Sequence, residues 1–113
     1  MSYFGRRPNP VFSDEYRALR EVIIEARRNA GLSQRQFSAL IGKPQSHVCC
    51  IERGQRRVDS LELYLMAKSL DLDPAALFGR IAERLDRVLQ DQALADAARL
   101  QDRGLPGRSL KTS

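Results

Sequence analysis

Residues 27–57 read RRNAGLSQRQFSALIGKPQSHVCCIERGQRR. Two short helical patterns lie in this stretch, broken at Gly42-Lys43-Pro44. In the first, Ser33 with Gln36 three residues on makes a capping box, and Phe37, Leu40 and Ile41 form the side expected to be buried. Pro44 cannot sit deep in a helix but fits a first turn. The second pattern spans about residues 45–53, with Val48 and Ile51 beneath it and Gly54 as its stop. The stretch carries seven basic residues and one acidic residue, Glu52. A short helix pair in so positive a setting suits a polyanion, with one helix set on a phosphate backbone and the other lowered into a groove.

Working outward, Ser13 is placed to cap a first helix whose opening turn holds Asp14 and Glu15, where negative charge suits the exposed N–H groups. Leu19, Val22, Ile23 and Ala26 follow at helical spacing, and Gly31 suits a left-handed end. Beyond the pair, Asp59 with Glu62 signals the start of a fourth helix. Leu61, Leu65, Ala67 and Leu70 are expected to line its buried side, with Leu63, Tyr64 and Met66 at its margins. Asp73-Pro74 opens a fifth, with Leu77, Phe78, Ile81 and Leu85 on its apolar side. Strand-like alternation is absent. The expectation is all-α: a compact five-helix domain over residues 13–80 and a helical extension over 81–103. Residues 1–12, with Gly5, Arg6, Arg7, Pro8 and Pro10, read as a flexible basic arm, a solubilising tail ahead of one that reaches a phosphate or minor groove, and 104–113 as a frayed tail. The heptad of 81–103 is imperfect. It leaves two options open, packing back on its own domain or pairing with a second copy.

The 113 residues suit one small domain with an extension. Net charge is +5, and residues 1–70 hold all of the excess: twelve Arg and Lys against seven Asp and Glu, while 71–113 hold seven of each. This asymmetry points toward a polyanionic partner. No apolar run is long enough for a transmembrane helix, and the opening residues lack the apolar stretch of a secretory signal. Cys49 and Cys50, the only cysteines, are sequence neighbours and cannot staple distant elements. A cytoplasmic, reducing setting is expected. Adjacent helix positions point about 100° apart, so His47, Cys49 and Cys50 are not expected to hold one zinc. No cofactor is expected.

Over residues 17–78 the chain strongly resembles the phage-repressor/Cro-type, or XRE-like, helix-turn-helix family. The residues that carry this are Arg27, Gly31-Leu32-Ser33-Gln34, Phe37-Ser38, Gly42, Pro44-Gln45-Ser46, Val48, Ile51-Glu52-Arg53-Gly54, Arg56, and Leu61, Leu65, Ala67, Leu70 and Leu72. Physically, two closely crossing helices need a small residue at their contact (Ser38), a flexible one at the turn (Gly42) and apolar anchors under the second helix (Val48, Ile51). The resemblance implies double-stranded DNA as partner and a homodimer on two-fold related half-sites. It places the helix over residues 45–53 in the major groove, with Gln45, Ser46 and Cys50 toward the bases and His47 or Cys49 at the edges. A Gln amide donates and accepts at once and so matches adenine N6 and N7. Ser46 discriminates weakly. Cys50 departs from the family, which often has a long polar or basic residue there. A thymine methyl contact and DNA deformability are then expected to supply part of the discrimination.

The expected phosphate contacts are Gln34 at a helix start, with Arg35, Lys43, Arg53, Arg56 and Arg57 around the reading helix. Arg27 and Glu52 are implied by the family to form a salt bridge behind the DNA surface. The leading function is therefore a transcriptional regulator, with no enzymatic activity. An antitoxin-like or protein-interaction module on the same scaffold, holding a protein partner through residues 81–103, is the alternative. An enzyme built on His47 and the thiols ranks last, because no third residue in the sequence evidently orients His47.

Overall fold

The computed structural model describes residues 13–102, which form five helices and no strand: α1 (Asp14–Asn29), α2 (Gln34–Leu40), α3 (Ser46–Glu52), α4 (Ser60–Ser69) and α5 (Pro74–Asp102). The arm over 1–12 and the tail over 104–113 lie outside the described residues. The fifth helix and the expected extension are one continuous element of 29 residues, about 44 Å long at 1.5 Å per residue.

Local chemistry sets the starts of α1, α2, α4 and α5. Ser13 accepts from the Tyr16 N–H at 3.1 Å. At α2 the capping box is complete: Ser33 Oγ accepts from the Gln36 N–H at 3.0 Å and Gln36 Oε1 accepts from the Ser33 N–H at 2.8 Å. Asp59 Oδ1 accepts from the Glu62 N–H at 2.8 Å, and Asp73 Oδ2 from the Ala76 N–H at 3.2 Å. Gly31 and Gly42 have φ of +75° and +70°, left-handed values that end α1 and turn α2 into α3 without a Cβ penalty.

The core gathers Val22, Ile23 and Ala26 of α1, Phe37 of α2, Val48 and Ile51 of α3, Met66, Ala67 and Leu70 of α4, and Leu77 and Ile81 of α5. α5 packs against α1 and α4. Arg84 fastens the α1 contact, its Nη2 donating to both Glu25 oxygens at 2.8 and 2.6 Å. The hydrogen bond to Glu25 holds the guanidinium even more firmly protonated than usual. Past Val88 the helix leaves the core, and Leu89, Leu94 and Leu100 are exposed.

Three expectations about apolar faces are corrected. On α4, Leu61 and Leu65 are 66% and 40% exposed, while Met66, expected at the margin, is fully buried. The segment LELYLMA is apolar nearly all round, so spacing could not choose its inner face. The buried side runs through Glu62, Met66, Ala67 and Leu70. Leu40, at the end of α2, and Phe78, one position past the buried Leu77, also face solvent.

Candidate nucleic-acid interface

α2 and α3 are seven residues each, too short to persist alone, so their mutual placement depends on what they touch. Ser38 is the contact. It is fully buried; its Oγ accepts from the Val48 N–H at 3.1 Å and donates to the Gln45 carbonyl at 3.3 Å. A larger side chain would separate the helices, and an apolar one would leave the buried Val48 N–H unpaired. Lys43 N–H to the Ser38 carbonyl and His47 N–H to the Pro44 carbonyl, both 2.9 Å, close the turn. Val48 and Ile51 are completely buried beneath α3.

Above those anchors, Gln45 and Ser46 are exposed, and no hydrogen bond from the Gln45 side chain caps α3. A hollow of ≈ 320 Å³ lies between the starts of the two helices, lined by Ser33, Gln34, Arg35, Gln45, Ser46 and Cys49. Cys49 therefore stands beside Gln45 and Ser46, whereas Cys50 does not line the hollow; both thiols are free and half-buried. Arg35, Lys43, Arg53, Arg56 and Arg57 are all exposed.

Behind this surface, Arg27 meets Glu52 in a two-point contact, Nε to Oε2 at 2.6 Å and Nη2 to Oε1 at 3.1 Å. The side chains are only 9% and 6% exposed. Arg27 Nη1 also donates to the Leu32 carbonyl at 2.7 Å. The Gln34 amide nitrogen donates to Glu52 Oε1 at 2.8 Å, so this side chain is tied into the ion pair as well as standing at the start of α2. Charged groups this deeply buried are tolerable because the two are paired to each other and hydrogen-bonded further, Arg27 to the Leu32 carbonyl and Glu52 to the Gln34 amide.

His47 is placed away from the others. It is buried with its Nε2 hydrogen-bonded to Glu62 of α4, and neither residue lines the hollow. A role for His47 at the edge of a base-reading surface is thus corrected: its ring points inward. Sequence reasoning also missed its partner, because Glu62 read as an ordinary residue of a helix's first turn. A second missed contact is Tyr16, whose hydroxyl oxygen accepts from the Val58 N–H and ties the loop carrying Arg56 and Arg57 to α1. No spacing signal links positions 42 residues apart.

Among the described residues, no group of His, Cys, Asp and Glu is arranged to hold a metal ion, and no helix is long and apolar enough to cross a membrane.

Comparison with known proteins gives one family model, described as helix-turn-helix, matching residues 23–77. No curated protein matches. Among solved structures, an XRE-family-like protein from Pseudomonas syringae pv. tomato str. DC3000 is 35% identical, with 61% of this chain and 84% of that one covered and a TM-score of 0.57. The restriction-modification controller protein C.Esp1396I is 20% identical, with 65% and 96% covered and a TM-score of 0.60, a likeness of fold.

Proposed function

Because the chain belongs to the XRE family of helix-turn-helix proteins, we propose that it is a sequence-specific regulator of transcription that lowers α3 into the major groove of duplex DNA. The observation that carries this reading is the exposed pair Gln45 and Ser46, held over buried Val48 and Ile51 and surrounded by exposed Arg35, Lys43, Arg53, Arg56 and Arg57. Gln45 is assigned the role of reading adenine through its amide, with Ser46 adding a weaker contact. Cys49, in the hollow, and Cys50 offer apolar contact to a thymine methyl. The cations grip phosphates, as does the start of α2 at Gln34. Regulation then follows from occupancy: a bound protein blocks or recruits polymerase.

A homodimer on a two-fold operator fits the exposed apolar side chains Leu61, Tyr64 and Leu65 of α4. A second reading, a module that acts with a protein partner, is favoured by one observation: the outer half of α5, with Leu89, Leu94 and Leu100 exposed, extends past the matched residues 23–77. Selection of bound duplexes from a random pool, followed by footprinting, tests the proposal. A short motif repeated with inverted symmetry, its half-sites about one helical turn apart, is the expected result. Failure to enrich any motif with the purified protein overturns it, and enrichment only in the presence of a second protein favours the module.

A further inference from the structure

We infer that His47 and Glu62 are positioning residues for the reading face: a buried strut between α3 and α4 that sets how Gln45 and Ser46 project. The inference rests on α3 being the reading helix.

A two-turn helix takes its orientation from its neighbours. Val48 and Ile51 fix the depth of α3, but apolar contacts have no direction and permit rotation and sliding. Directional bonds must supply the rest. Arg27 and Glu52 hold the far end of α3 to α1. At the near end, next to Gln45 and Ser46, Ser38 ties α3 to α2 and His47 ties it to α4. Three of the neighbouring helices are thereby bonded to one short helix, and α4 is reached through His47 and Glu62.

The chemistry of the pair suits a fixed strut. Both side chains are more than nine-tenths buried, at 7% and 8% exposure. Glu62 lies in the first turn of α4, where the helix's free N–H groups favour a carboxylate, and its own N–H is held by Asp59. The backbone that carries Glu62 is therefore held at the helix start, and its carboxylate gives the ring of His47 a directional partner. His47 directly follows Ser46 in the chain, so a tilt of its ring bond is passed to the two reading positions with no intervening hinge. An apolar residue at 47 would fill the same space without this direction, and would leave Glu62 buried and unpaired.

The test compares His47→Phe, which keeps a ring and removes the bond, with His47→Gln, whose amide N–H can still donate to Glu62. Affinity is measured for a selected duplex and for a scrambled duplex of equal length, at a temperature where each variant is folded. His47→Phe is expected to lower the ratio of the two affinities about tenfold, the discrimination one well-placed side chain supplies. The scrambled-duplex affinity should stay within about twofold, because the phosphate-facing cations are untouched. His47→Gln should recover most of the ratio. A folded His47→Phe protein with an unchanged ratio overturns the inference, since the pair would then only stabilise.

Should His47→Phe fail to fold, the double variant His47→Phe with Glu62→Met, which leaves neither partner buried and unpaired, carries the same comparison. Amide exchange gives a readout independent of DNA: residues 45–50 should exchange faster in His47→Phe relative to α1, and equal exchange overturns the strut. If the unmodified protein discriminates no duplex, the reading of α3 as a DNA helix fails, while exchange still decides whether the strut exists.

Discussion

Replacing Glu52 with Leu is expected to cost about 3–5 kcal/mol of folding stability, the usual penalty for orphaning one member of a buried ion pair. The magnitude follows from what is left behind. Arg27 would keep one hydrogen bond, to the Leu32 carbonyl, and lose both bonds to the carboxylate. Gln34 would lose its partner in the same step. Neither α2 nor α3 is long enough to tolerate that loss by local stability alone. Urea unfolding followed by circular dichroism measures it. The double variant Arg27→Met with Glu52→Leu should recover much of the loss, because no charge then remains buried. A single-variant cost below about 1 kcal/mol would mean that the pair behaves as a surface contact.

That pair also shows what the sequence made legible. Its existence was implied by family resemblance, since no periodicity joins positions 27 and 52, and its depth emerged only when α1, α2 and α3 were packed together. Helix starts were readable because their signals are local: Ser13, Ser33 and Asp59 each lie three residues before the N–H they cap. The inner face of α4 was not readable, because Leu61, Leu63, Tyr64, Leu65 and Met66 offer several equivalent stripes. What resolves the choice is Glu62, drawn inward by His47 from 15 residues away. The same long-range bond removed His47 from the reading surface. Gln45 and Ser46, by contrast, were carried over from the family resemblance, and both are exposed at the start of a helix over two buried apolar anchors.

Raising salt from 50 to 200 mM should weaken duplex binding by about 500-fold per protomer if all five exposed cations meet phosphates. The affinity falls with a log–log slope of about −0.9 for each phosphate neutralised. Arg35, Lys43, Arg53, Arg56 and Arg57 supply the charges, and a dimer doubles the slope. Fluorescence anisotropy across a salt series measures it. Changing Arg56 to Ala should flatten the slope by about one and weaken binding to matched and scrambled duplexes alike. A change of less than about twofold over that salt range would contradict an electrostatic clamp.

The most direct test of α3 as a base-reading helix is the Gln45→Ala substitution, assayed on the selected duplex and on its single-base variants. Gln45 is exposed and its side chain makes no cap bond to α3, so the fold should survive. Discrimination at one base pair should fall by about 1–3 kcal/mol, while affinity for scrambled DNA holds. Unchanged discrimination at every position would contradict the account.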